Sequence, residues 1–169
     1  MTVLQAFPPV VAPGAHTLIL GSMPSAASLE AAHYYAHPRN LFWPIVGEIL
    51  GFAPEAPYSD RVAVLLARGY ALWDVLGSCR REGSLDSAIQ ADSMEINDFS
   101  TFLAVHPEIN RIFFNGTFAA DLFRRRVMPT LKARGETLSL IRLPSTSPAN
   151  ASISREAKRA AWAAIQCAR

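Results

Sequence analysis

Four short apolar runs, at residues 17–20, 70–75, 111–114 and 138–143, are each separated from the next by segments of helical spacing. Nothing else in the chain constrains its fold as much. Strands joined through helices return to the same end of the sheet before pairing, so they run parallel, and a parallel sheet must be covered on both faces. The expected fold is α/β, three layers deep, with a central parallel four-stranded sheet. Half of the 169 residues are hydrophobic and 18% are charged, which suits one globular domain with a real core. The whole chain, 1–169, is read as that domain, with residues 1–15 as a Pro-rich lead-in draped over it.

The helical segments have local punctuation. Leu41, Ile45 and Ile49, beside Phe42, Val46 and Leu50, recur at helical spacing, with Asn40 placed to cap them and Gly51 to stop them. Ser59 or Asp60 caps a helix over 61–68 that ends at Gly69. A polar loop holding Cys79, Arg80 and Arg81 leads to a short element near 84–90, and Asn97 or Asp98 caps a helix through Ala104. Further helices are expected at 117–126 and at about 154–167.

Composition excludes several classes. A formal charge of +2 is compatible with nucleic acid but too small for a grip by charge alone. Cys79 and Cys167 lie far apart with no paired spacing, which argues against a disulfide framework, a zinc site or a cluster, and for a reducing cytoplasm. The first residues lack a basic stretch and are broken by three prolines, unlike a signal peptide, and no apolar run reaches the length of a membrane span.

In a parallel sheet the residues just past the four strands share one edge: Ser22 to Ser25, Asp74, Asn115, and Ser145 to Asn150. Open α/β sheets bind their ligands there. The first strand also feeds a segment, His33 to Asn40, with two Tyr, two His, an Arg and an Asn in eight residues. The Gly21-Ser22-Met23-Pro24-Ser25 turn lacks the spacing of a serine-hydrolase elbow, and no Gly-Lys-Ser/Thr follows a strand as a P-loop requires. His33 and His37 stand at i, i+4, but nothing else nearby completes a metal site.

Residues 21–43, GSMPSAASLEAAHYYAHPRNLFW, together with LPSTSPAN at 143–150, resemble the uracil-DNA glycosylase superfamily. The nearest branch is the hypoxanthine-DNA glycosylases, and the mismatch-specific uracil/thymine glycosylases come next. Residues 71–89 and 113–123 are similar to the same branch, so the resemblance runs in order from about Thr17 to Ala151. It implies a monofunctional, monomeric enzyme without metal or cofactor. Such an enzyme flips a damaged base out of double- or single-stranded DNA and hydrolyses its N-glycosidic bond.

Residue by residue, the resemblance assigns base binding to Gly21, Ser22, Met23, Tyr35, Asp74 and Ser145, and DNA contacts to Ser25, Arg39, Ser147, Pro148, Ala149 and Asn150. Tyr35 falls where the superfamily stacks an aromatic on the flipped ring, although the adjacent Tyr34 could take the role. Asp74 falls where the edge of the base is read; it could equally cap a following helix. Arg80 and Arg81 are further candidate phosphate ligands, whereas Arg124 to Arg126 read as a solvated helix face. Relatives carry a Leu wedge near Ala149, and Ala is too short to fill the space left by a flipped base. Several relatives carry Asp or Asn at the position of Met23, where the attacking water is held, and a thioether holds water poorly. Asn40 is therefore the expected catalytic residue. The alternatives are a mismatch-specific uracil/thymine glycosylase, or a binding module for damaged bases that has lost catalysis.

Overall fold

The computed structural model describes residues 2–166. Its elements in chain order are β1 (Val3–Gln5), β2 (Thr17–Gly21), α1 (Ala26–Ala31), α2 (Phe42–Leu50), α3 (Tyr58–Ala67), β3 (Tyr70–Asp74), β4 (Leu76–Arg80), β5 (Glu95–Ile96), α4 (Phe99–Val105), β6 (Arg111–Asn115), α5 (Thr117–Arg126), α6 (Met128–Leu131), α7 (Ala133–Glu136), β7 (Ser139–Leu143) and α8 (Arg155–Trp162). The four expected strands form one parallel sheet in the order β3-β2-β6-β7, with Leu20 level with Trp73 on one side and Phe114 on the other.

Alternate side chains of each strand enter different cores. Leu18, Leu20, Ala71, Trp73, Ile112 and Phe114 pack with Phe99, Leu103, Leu122 and Phe123 of α4 and α5. Ile19, Leu72 and Phe113 pack on the opposite face with Phe42, Ile45 and Val46 of α2, Leu65 of α3 and Trp162 of α8. All five residues of β2 are buried, as expected of a strand with neighbours on both sides and helices on both faces. The three-layer expectation is met. The chain moves outward from β2 to β3 on one side and from β6 to β7 on the other, so the crevice of the sheet opens above β2 and β6.

Several expectations need correction. Residues 2–15 are more than a lead-in draped over the domain. β1 pairs antiparallel with β4, and Val10 exchanges two 2.9 Å backbone hydrogen bonds with Leu72, covering the β3 edge of the main sheet. The stretch around Cys79 and Arg80 is a strand, central to a second sheet ordered β1-β4-β5. The second helix starts at Tyr58 with Pro57 at its N-cap, which leaves Ser59 and Asp60 in the first turn rather than capping it. Asp98 does cap α4, accepting from the Thr101 amide at 3.1 Å. The short helices α1, α6 and α7 were not expected. The last helix is α8, capped by Ser154 and continued by a 3-10 turn over Ala163–Gln166; Cys167 lies outside the described residues.

Candidate active site

A cleft of about 780 Å³ lies over the carboxyl ends of the parallel strands. Its first wall is the segment after β2. Ser25 caps α1 by accepting from the Ser28 amide at 3.1 Å, and the buried Ser28 hydroxyl accepts from the Ala36 amide at 3.0 Å. The Tyr34 amide donates to the Tyr58 hydroxyl, and the Trp43 indole donates to the Tyr34 carbonyl. Held between these anchored neighbours, Tyr35 takes φ 56°, a left-handed conformation that bulky residues adopt only under constraint. Its ring lies flat on Phe42, with centroids 4.0 Å apart and planes 23° apart, and it lines the cleft.

Tyr34 is turned into the core. It is 3% exposed, its hydroxyl donates to the Pro8 carbonyl, and Phe7 meets its ring edge-on. The two adjacent tyrosines are therefore not interchangeable as a platform.

Asp74 ends β3 on the floor of the cleft and is 3% exposed. No helix follows it, because the chain passes directly into β4, so the capping alternative falls away. Its Oδ2 has no hydrogen-bond partner among the described residues. Burial, reinforced by the nearby Asp86 and partly offset by Arg81, pushes this carboxyl up to about 7. Burial and the same Asp74 also raise the Tyr35 phenol, partly offset by the Asn115 side chain beside it, so Tyr35 is a neutral ring at physiological pH.

The segment after β4 docks on the stretch from Ser22 to Ala26 through three hydrogen bonds. Arg81 Nη2 donates to the Pro24 carbonyl at 2.6 Å, the Ala26 amide donates to the Ser84 hydroxyl at 2.9 Å, and the Ser22 hydroxyl donates to Asp86 Oδ1 at 2.6 Å. Arg81 is 4% exposed and also donates to the Gly83 carbonyl. The expectation that Arg81 contacts phosphate is thus corrected: its guanidinium is buried and donates to two backbone carbonyls. Arg80 donates to the Gln90 side chain, and Arg124, Arg125 and Arg126 are exposed.

The opposite wall is the stretch after β7. Gly116, at φ 102°, leaves only 3.1 Å between a hypothetical β-carbon and Ser145 Cβ, so the two strand-end loops touch backbone to side chain. The Asn115 amide group brackets Thr146, accepting from its N–H and donating to its hydroxyl, both at 2.9 Å. The Leu41 amide donates to the Thr146 carbonyl, which ties the first motif to the second. Ser145 and Ser147 hydroxyls accept from the amides of Ser147 and Ala149, and Lys158 Nζ donates to the Asn150 carbonyl.

Of the residues singled out in the sequence, Gly21, Ser22, Met23, Ser25, Tyr35, Asn40, Asp74, Ser145, Ser147, Ala149 and Asn150 all line this cleft, while Arg39 and Pro148 do not. Met23 is 8% exposed and packs in the core beneath the turn. Leu41, not Asn40, is the N-cap residue of α2, but Asn40 Oδ1 accepts from the Phe42 amide at 2.9 Å and so braces the first turn. His33 stacks on Tyr58 and His37 accepts from the Arg39 amide, on irregular backbone where i, i+4 spacing does not bring the rings together. Sequence reasoning missed Asp86, and it missed two apolar side chains on the rim, Leu85 at 55% and Ile153 at 38% exposure.

The crevice of this parallel α/β sheet combines a flat aromatic wall, a buried carboxyl floor and two tied polar loops, at the edge where open α/β sheets bind their ligands. The comparisons name the class: the sequence model of the uracil DNA glycosylase superfamily matches residues 8–166, and the chain belongs to that superfamily. It is 35% identical over 161 residues to the hypoxanthine DNA glycosylase of Methanosarcina barkeri, covering 94% of this chain and 95% of that one. It is also 35% identical over 162 residues to the protein of the same name from Methanosarcina acetivorans, covering 95% and 96%. The fold is similar to the solution NMR structure of a Methanosarcina acetivorans protein provisionally named a uracil DNA glycosylase. That likeness has a TM-score of 0.80 and 34% identity, and it covers 97% of this chain and 96% of the other.

Proposed function

We propose that this protein is a monofunctional DNA glycosylase of base excision repair that removes a deaminated base, hypoxanthine foremost, and leaves an abasic site. The observation that carries the reading is Asp74: a carboxyl with an unpartnered oxygen on the floor of the cleft, beside the Tyr35 ring. Stacking on Tyr35 offers the flipped ring an apolar face, and the Asp74 carboxylate accepts the ring N–H that hypoxanthine, xanthine and uracil each present. Adenine presents no such ring N–H, so an acceptor here would favour the deaminated base. Preference for hypoxanthine over uracil rests on the names of the two relatives rather than on Asp74, which serves both.

Among the described residues no lysine lines the cleft, and the nearby Lys158 is 3% exposed and holds the Asn150 carbonyl. That favours attack by water over attack by an amine. Asn40 is the proposed catalytic residue. Its oxygen braces Phe42, so its amide N–H group is what it offers to the water or to the departing base. Ser145 meets the base, and Ser22, Gly21 and Met23 offer it their backbone.

Ser25, Ser147, Ala149, Asn150 and, outside the cleft, Arg39 and Pro148 lie against the DNA backbone. Leu85 or Ile153, rather than Ala149, fills the gap in the base stack. The protein acts as a single-domain monomer in the cytoplasm.

The test is base release from matched duplexes carrying one hypoxanthine, uracil, xanthine or mismatched thymine, read as alkali-labile abasic sites. Hypoxanthine is expected to be released fastest. Release of uracil without hypoxanthine would move the protein to the mismatch-specific reading, and lesion binding with no release of any base would make it a binding module.

A further inference from the structure

Base hydrolysis needs an acceptor for the proton of the attacking water. Neither the turn after β2 nor the entry to α2 supplies one: Met23 is a thioether packed in the core, and the Asn40 oxygen already accepts from the Phe42 amide. Asp74 is committed to the base if the proposed function holds. One further carboxylate lines the cleft. Asp86 stands in a 3-10 turn, and its Oδ1 accepts from the hydroxyl of Ser22, the residue next to Met23. Two other bonds of its segment, from Arg81 to the Pro24 carbonyl and from the Ala26 amide to Ser84, fix that turn against the loop.

On the reading that the protein is a glycosylase, we propose that Asp86 is a catalytic residue, the carboxylate that orients the attacking water and accepts its proton. A second, independent observation points to a ligand in the same place: Asp74, 3% exposed, lines the same cleft, and its Oδ2 has no hydrogen-bond partner among the described residues. Two carboxylates then divide the work, Asp74 reading the base and Asp86 facing the sugar. In the step itself, the water oxygen bonds to the anomeric carbon of the deoxyribose as the bond to the base nitrogen breaks, with its electron pair leaving on the base. The water proton passes to Asp86 and from there to solvent, while the base takes up a proton, so one water is consumed and no other reactant is needed. Burial raises the Asp86 carboxyl, opposed by the Ser22 hydrogen bond and by Arg81, which makes it a better proton acceptor than an exposed Asp. The titratable groups that face it are Asp74 from the end of β3, and Arg81 and Cys79 from the β4 strand and its exit.

The deciding experiment compares Asp86→Asn with Ser84→Ala in single-turnover base release, with lesion-duplex binding measured in parallel. Asn keeps an oxygen that can accept from Ser22, so the docking of the loop survives while the proton acceptor is lost. Asp86→Asn is expected to bind the lesion duplex within about threefold of the native protein and to release base at least a hundredfold more slowly. Ser84→Ala removes a docking bond of the same segment, the one from the Ala26 amide, but leaves the carboxylate, and is expected to keep at least a tenth of the rate. Asp86→Asn within threefold of the native rate overturns the inference, and so do equal losses in the two variants, which would make Asp86 a clamp. A native protein that releases no base from any lesion contradicts the proposed function instead, and that outcome is visible before either variant is made.

Discussion

A β-carbon added to Gly21 would lie 2.6 Å from Oδ1 of Asp74 and 3.2 Å from the Tyr35 hydroxyl. The end of β2 is therefore bare because the Asp74 carboxyl of the adjacent strand occupies the space a side chain would take. Gly21→Ala should displace Asp74 by a few tenths of an ångström or more. With a group that must meet a ring edge, a misplacement of this kind is expected to lower base release about a hundredfold. The melting temperature should drop only modestly, because the strand itself is unchanged. Release within threefold of the native rate would mean that Asp74 does not need its present position.

Tyr35→Ala is expected to lower base release by about one to two orders of magnitude, the equivalent of roughly 1–3 kcal/mol of stacking, while Tyr35→Phe keeps most of it. The buried phenol is held neutral, so losing its hydroxyl removes no charge. If Phe proves as damaging as Ala, the ring face is not the working part of the side chain.

Asp74 gives a pH test with two signs. The folded protein holds the Asp74 proton up to about 7, whereas an exposed Asp releases it near 3.8. Between those values the folded state binds the extra proton, so the stability contributed by this site is full below about 3.8 and is lost as pH rises through 7. A carboxamide in place of the carboxyl has no proton to lose. Asp74→Asn should therefore melt higher than the native protein at pH 8, with the difference shrinking toward pH 4, while base release collapses at every pH. Native base release should rise with pH through about 7, as the carboxylate forms. Thermal melts of the two proteins from pH 4 to pH 8 check the first sign, and a lower melting point for Asp74→Asn at pH 8 would contradict it.

Leu85→Ala and Ile153→Ala address the gap left in the helix by a flipped base. A residue that fills that gap matters only where a stack exists to be repaired. The responsible substitution should slow release from duplex DNA about tenfold and leave release from single strands nearly unchanged. Equal effects on both substrates, or none from either variant, would remove the rim side chains from this role.

How much of this was legible in the sequence differs by residue. Asp74 and Ser145 could be found because strand-end position follows from periodicity alone, and the parallel sheet then gathers the ends. Residue type left Tyr34 open beside Tyr35, since the left-handed backbone at Tyr35 and the core contacts of Tyr34 separate them, and no Tyr announces a positive φ. Arg81 was misread because a cation between Arg80 and Glu82 looks solvated; its burial depends on Pro24, far away in the chain. β1, β4 and β5 were missed because their strands are short and mixed in polarity, and pair with distant partners rather than through a hairpin signal. Asp86 escaped notice for the same reason: one acid in a brief 3-10 turn carries no local mark of the serine it meets.

The central claim is hydrolysis of a glycosidic bond to a deaminated base. Its most direct measurement counts both products of one duplex carrying a single hypoxanthine: free base by chromatography and abasic strand by cleavage. One free hypoxanthine is expected for each alkali-labile site, with the strand intact until alkali is added, and at least a hundredfold slower release by Asn40→Ala at a temperature where that variant is folded. Strand scission without alkali would contradict attack by water, and the absence of free base from every deaminated substrate would contradict the account as a whole.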